Sequence, residues 1–298
     1  MTLQGALTGI SGILVTPFDG DDRIAPARLV PIIDRALAAG LHIPVVNGNT
    51  GEFYSLTVEE AEAMCAEVCG LVAGRAPVLA GVGRSIKDAC RLAAAAAKAG
   101  AAGLMVHQPP DPFAAPRGVV DYVRRVADAG GGLPLMLYLR NDAIGTAAIA
   151  DLCAIPGVIG VKWATPNPLR LAEAIAACDP GIIWVGGLAE VWAPALYAVG
   201  ARGFTSGLIN IWPERSLAIH AALEAGDYAK ARGLIAGMAA FEDVRAQELN
   251  GTNVTGVKAA LQAMGQDCGP TRPPAAWPLT QAQQRTMEGF LTENGLLH

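Results

Sequence analysis

The strongest constraint on this chain is its rhythm. Short apolar runs of β-type residues alternate, eight times over, with Ala- and Leu-rich amphipathic segments. The runs fall near Gly12–Thr16, Ile43–Asn47, Val78–Gly81, Gly103–Val106, Leu135–Tyr138, Val158–Lys162, Ile182–Val185 and Gly203–Thr205. Each is apolar along its length, as in parallel strands covered on both faces. The segments between them predict helices over Pro26–Ala39, Thr57–Ala73, Ile86–Ala99, Arg117–Ala129, Thr146–Ala154, Asn167–Cys178, Glu190–Val199 and Pro213–Ala225. Local signals agree. Thr57 and Glu60 have capping-box spacing, Gly40, Gly100 and Gly200 follow helices where a left-handed cap is easiest for Gly, and Pro213 suits a first turn.

Strand–helix units in strict order predict an α/β chain closed as a (β/α)8 TIM barrel over residues 1–225. An open doubly wound sheet would want a Gly-rich dinucleotide loop after its first strand. Here that strand runs into Thr16-Pro17-Phe18-Asp19-Gly20. Residues 226–298 read as a C-terminal helical extension, with helices near Asp227–Leu249, Val254–Met264 and Thr280–Glu293 and a Pro-rich connection at Gly269–Pro278.

Composition narrows the function. The chain is 52% hydrophobic and 16% charged, which excludes a disordered chain, and its net charge of −5 offers no general polyanion surface. Nucleic acid is therefore not an expected partner, and the apolar excess favours burial in an oligomer. The Ala-rich run Leu92–Val106 is broken by Lys98, Gly100 and Gly103, so no membrane span is expected. The first twelve residues have no basic, signal-like pattern. Six cysteines without a Cys-x-x-Cys pair, and histidines dispersed at 42, 107, 220 and 298, predict reduced thiols, no metal site and a cytoplasmic location.

A barrel places its chemistry at the C-terminal ends of its strands. The second ends in Gly48-Asn49-Thr50-Gly51-Glu52, whose glycines allow a tight turn with exposed N–H groups; it reads equally as an anion nest or a polar turn. The fifth ends in Tyr138-Leu139-Arg140-Asn141, where Tyr138 is a wall residue or a proton relay and Arg140 a solvated charge or a carboxylate clamp. The sixth ends in Lys162. Of five lysines, those at 87, 98, 230 and 258 lie in helical stretches, and only Lys162 lies in an apolar strand. Burial should lower its pKa toward neutrality, which suits an imine-forming amine better than a snorkelling rim charge. Gly187, Ser206 and Gly207 end the last two strands as close-packing residues or as donors to an anion.

Taken together these pieces resemble the dihydrodipicolinate synthase / N-acetylneuraminate lyase family. The matching segments are Gly12-Ile13-Leu14-Val15-Thr16-Pro17-Phe18, Gly48-Asn49-Thr50-Gly51-Glu52, Ala80-Gly81-Val82-Gly83, Pro134-x₃-Tyr138, Gly160-Val161-Lys162 and Val257-Lys258-Ala259-Ala260-Leu261. The resemblance implies a homotetramer or homodimer acting on a small 2-keto acid, with no cofactor beyond a covalent lysine imine. It implies that Lys162 forms that imine, that Tyr138 relays protons with Thr50 as its hydrogen-bond partner, and that Asn49 and Thr50, with Gly48, hold the C1 carboxylate. The synthase branch has an Arg where Ala143 stands and a Tyr pair where His107-Gln108-Pro109-Pro110 stands. Gly51-Glu52-Phe53-Tyr54-Ser55-Leu56-Thr57 and Tyr138-x-Arg140-Asn141 instead look like the 5-dehydro-4-deoxyglucarate dehydratases. That branch implies a 2-keto-3-deoxy sugar diacid. A second carboxylate wants a fork-shaped cation, so Arg140, the only Arg just beyond the strand that carries Tyr138, is expected with Asn141 on the far carboxylate, with Ser206 and Asn210 completing that pocket by hydrogen bonds. A pyruvate-dependent aldolase or a ring-opening deaminase uses the same imine. A non-catalytic binding relative fits poorly with Lys162, Tyr138 and Thr50 together.

Overall fold

A computed structural model describes residues 2–297; Met1 and His298, the last of the four histidines, lie outside the described residues. Eight parallel strands close a barrel in sequence order: β1 Ile10–Ile13, β2 Ile43–Val46, β3 Leu79–Val82, β4 Gly103–His107, β5 Leu135–Leu139, β6 Val158–Trp163, β7 Ile183–Gly186 and β8 Gly203–Ser206. β1 pairs with both β2 and β8, which completes the closure. Helices return the chain between strands, among them Ile86–Ala99, capped by Ser85 and by left-handed Gly100, and Val58–Val72, where Thr57 and Glu60 make the full capping box.

Side chains alternate across each strand. Ile13, Val45, Leu79, Met105, Met136, Tyr138 and Val185 fill the lumen, and a larger outer core holds residues such as Val46, Leu104, Val161, Trp163 and Phe204 against the helices. A short helix, Leu3–Ala6, plugs the lower end of the barrel through Leu3, Ala6 and Leu7. Gly103 is bare because an added Cβ would lie 2.3 Å from Leu3.

Two expectations change. The first strand ends at Ile13 rather than Thr16. Beyond Leu14 the chain bonds to side chains and loops instead of a strand: Val15 N–H donates to Asn210 Oδ1, and the Thr16 side-chain hydroxyl donates to Gly51 O. The expected helix over Asp227–Leu249 is two, Tyr228–Ala236 and Ala239–Asn250, separated at Gly237-Met238, and its end unwinds through left-handed Glu248, Leu249 and Asn250. Helices Asn253–Ala263 and Gln281–Glu293 follow. Among the described residues no helix is long and apolar enough to cross a membrane.

Candidate active site

The upper end of the lumen is set by three neighbouring strands. Register pairs His107 with Tyr138 and Tyr138 with Lys162, so the three side chains enter the barrel side by side. Lys162 is 3% exposed, with Nζ 3.9 Å from the centre of the Tyr138 ring. Among the described residues no carboxylate pairs with it. Burial, and then the charge of Arg140, push its pKa down to about 7. Burial pushes Tyr138 up to about 12.

The loop after β2 reaches the tyrosine on which this lysine lies. Gly48 precedes a 3-10 turn, Asn49–Gly51, whose first N–H groups, on Asn49 and Thr50, are not taken by backbone acceptors among the described residues. Gly51 has no room for a side chain, since an added Cβ would lie 2.9 Å from Leu14 O. Asn49 Nδ2 donates to Tyr138 Oη at 3.0 Å. This corrects the expected partnership: Asn49, not Thr50, holds the tyrosine. The Asn49 side chain is long enough to cross to β5, and its Oδ1 stays buried without a partner. Thr50 is buried beside Gly207, whose added Cβ would lie 3.5 Å from Thr50 Oγ1 and 2.8 Å from Arg245.

Three other expected site residues are committed elsewhere. Ser206 has the outward parity of Phe204; its Oγ donates to Glu190 Oε1 at 2.5 Å and lies 3.0 Å from Ser216 Oγ, outside the barrel. Asn210 is fully buried, donating to Ile13 O and Gly207 O and accepting from Val15 N–H, so it braces β1 against β8. Neither completes a substrate pocket. Gly187 N–H donates to Trp163 O and is not free for an anion. Arg140 is exposed on the rim, without an ion pair among the described residues, while its N–H and that of Asn141 both donate to Gln108 Oε1. Asn141 Oδ1 accepts from Ala143 N–H.

The sequence reading passed over the groups that hold this loop. Lys258 Nζ meets Glu52 Oε1 at 2.6 Å, and Arg272 N–H donates to Glu52 Oε2 at 2.8 Å, tying the loop to a C-terminal helix and to the connection that follows it. His107 is buried between Phe53 and Tyr138, with ring centres at 4.4 and 5.1 Å. A rim groove of about 570 Å³, lined by Tyr54, Arg84, Pro109, Asp111 and Tyr122 among others, opens beside the mouth and includes neither Lys162 nor Tyr138. Among the described residues no group of three or more His, Cys, Asp or Glu side chains could hold a metal.

Residues 6–294 match the sequence profile of the Dihydrodipicolinate synthetase family. A probable 5-dehydro-4-deoxyglucarate dehydratase of Rhizobium rhizogenes is 30% identical, over 90% of this chain and 89% of the relative. A 4-hydroxy-tetrahydrodipicolinate synthase of Streptomyces coelicolor is 35% identical, over 95% and 92%. The crystal structure of dihydrodipicolinate synthase from Bacillus clausii superimposes with a TM-score of 0.94 at 33% identity, covering 98% of this chain and 99% of that one.

Proposed function

Because the chain belongs to the dihydrodipicolinate synthetase family, a family of lyases, we propose that it is a Schiff-base dehydratase of a 2-keto-3-deoxy sugar acid. The observation that carries the proposal is Lys162: a buried, unpaired amine at the top of a barrel strand, lowered to about 7 and seated on Tyr138. An amine free at neutral pH is the nucleophile that imine formation requires.

The chemistry follows from the neighbours. The N–H groups of Asn49 and Thr50 hold the C1 carboxylate. Lys162 Nζ attacks the C2 ketone, and the carbonyl oxygen leaves as water, giving an iminium. The C3 proton is then acidic, and its bonding pair passes into the iminium to form an enamine. The returning pair expels the C4 hydroxyl, which takes up a proton and leaves as water, and the new double bond joins C3 and C4. Water then releases the product from Lys162. Tyr138 moves the protons. Asn49 donates to Tyr138 Oη, so the phenolic hydrogen is left to face the substrate. The dehydratase names among the relatives support this branch, and Arg140, on the rim above Lys162, serves the far carboxylate of a diacid. The same reading makes the protein a cytoplasmic homotetramer or homodimer, in keeping with Phe113, 92% exposed on the loop after β4.

The test is a panel of 2-keto-3-deoxy monoacids and diacids with water loss, CO₂, ammonia and free pyruvate measured separately. Water loss from diacids supports the proposal. Free pyruvate without dehydration assigns an aldolase, and ammonia from a cyclic imino acid assigns a deaminase.

A further inference from the structure

His107 is a buried side chain of the mouth to which the proposed chemistry gives no task, and its surroundings define one. Its Nε2 lies 3.0 Å from Asn47 O. A carbonyl only accepts, so Nε2 carries the hydrogen and Nδ1, buried and without a partner, is the lone-pair nitrogen. Asn47 is the residue before Gly48, and it is held left-handed at φ 58°. On the other side the His107 ring stacks on Phe53, the residue after Glu52, at 4.4 Å and 18°. One side chain therefore touches the loop at both ends. β3 lies between β2 and β4, and the bond to Asn47 crosses it only because Gly81 is bare there. An added Cβ would lie 2.0 Å from Asn47 O and 2.9 Å from His107 Nε2. Gly83 leaves matching room, with an added Cβ 2.9 Å from His107 Cβ and 3.2 Å from Phe53.

We propose that His107 is a positioning residue that clamps the 47–53 loop at both ends, fixing the Asn49 and Thr50 N–H groups and the Asn49 bond to Tyr138 in the geometry that receives a 2-keto acid carboxylate. The carboxylate part of this inference rests on the proposed function; the clamp itself does not. The ring is neutral, because burial first and then the Lys162 charge hold its pKa down to about 3. The Nε2–H bond is therefore present throughout the neutral range.

The test separates the bond from the stack. His107→Gln keeps an N–H donor in reach of Asn47, and His107→Phe keeps the ring without the donor. Gly81→Ala breaks the bond while leaving His107 intact. Amide exchange of the peptide spanning residues 48–53 is compared in all three, with peptides elsewhere in the barrel as the reference. Loss of the bond speeds exchange in that peptide by about tenfold in His107→Phe and Gly81→Ala, and loss of the stack alone in His107→Gln speeds it by less. The pyruvate concentration that half-saturates borohydride trapping rises in the same order, while the trapping rate at saturation changes less. Unchanged exchange in both His107→Phe and Gly81→Ala overturns the clamp, as does an equal rise across the whole barrel. If the parent chain traps no pyruvate, the imine reading fails, and the exchange comparison still decides the clamp.

Discussion

The molecule buries two lysines, and they are opposites. Lys162 and Lys258 are 3% and 0% exposed, and each lies on an aromatic ring, Tyr138 at 3.9 Å and Phe18 at 4.3 Å. Burial lowers both. Lys258 has a carboxylate at 2.6 Å and donates to Pro270 O at 2.9 Å. Lys162 has neither, and the charge of Arg140, which acts on it, is of its own sign. Burial alone therefore does not make a nucleophile. A buried ammonium with a matched carboxylate and a carbonyl is a strut, since its charge is compensated in place. One without compensation gives up its proton and becomes reactive.

The comparison breaks most sharply at Lys162. Lys162→Ala should cost about 10⁴-fold or more in turnover, because the covalent step has no substitute; steady-state rates on the best diacid check it. Stability should move the other way. Between pH 7 and the ordinary value of 10.5 the unfolded chain binds the Lys162 proton and the folded chain does not, so stability rises with pH across that window. Below pH 7 the burial cost is fully present. Lys162→Met should therefore melt above the parent at pH 6, with the gain shrinking toward pH 10.5.

Tyr138→Phe comes next, with kcat down by about 10²–10⁴ and KM little changed. A loss confined to KM would make the ring a seat for Lys162 and nothing more. Lys258→Met tests the strut. It leaves Glu52 buried and uncompensated, and should destabilise the fold by about 3–5 kcal/mol in denaturant unfolding. Glu52→Gln added to it should recover part of that loss. Arg140→Ala should have the smallest effect, removing a preference for diacids over monoacids worth roughly 1.5–3 kcal/mol. It should also raise the Lys162 pKa, because a like charge is withdrawn.

The barrel was legible because strands buried on both faces leave continuous apolar runs, and Gly40 and Gly100 marked helix ends by their freedom at positive φ. The same two-sided burial hid parity. Phe204 and Ser206 face outward while Thr205 lies on the lumen face, and a short strand buried on both faces, with a polar residue of each parity, gives no sign of which set is which. Ser206 therefore turns away from the pocket that its place at the end of β8 suggests. Asn210 sits near the mouth in sequence, yet its bonds run to Ile13 and Val15, almost the length of the barrel away along the chain. Lys162 was visible as a charge inside an apolar strand. His107 was not, because its meaning lies in Asn47 and Phe53 across a bare Gly81. The break at Gly237 falls at a poor helix former, but the left-handed turn begins at Glu248 and Leu249, residue types that give no sign of it.

The contrast between the two lysines is tested most directly by borohydride reduction in the presence of pyruvate, with the adduct located by peptide mass spectrometry and its rate followed from pH 5 to 10. A single adduct is expected on Lys162, none on Lys258, with a rate that rises through a midpoint at about 7. An adduct on another lysine, or one on Lys162 whose rate climbs only near the ordinary lysine value of 10.5, would contradict it.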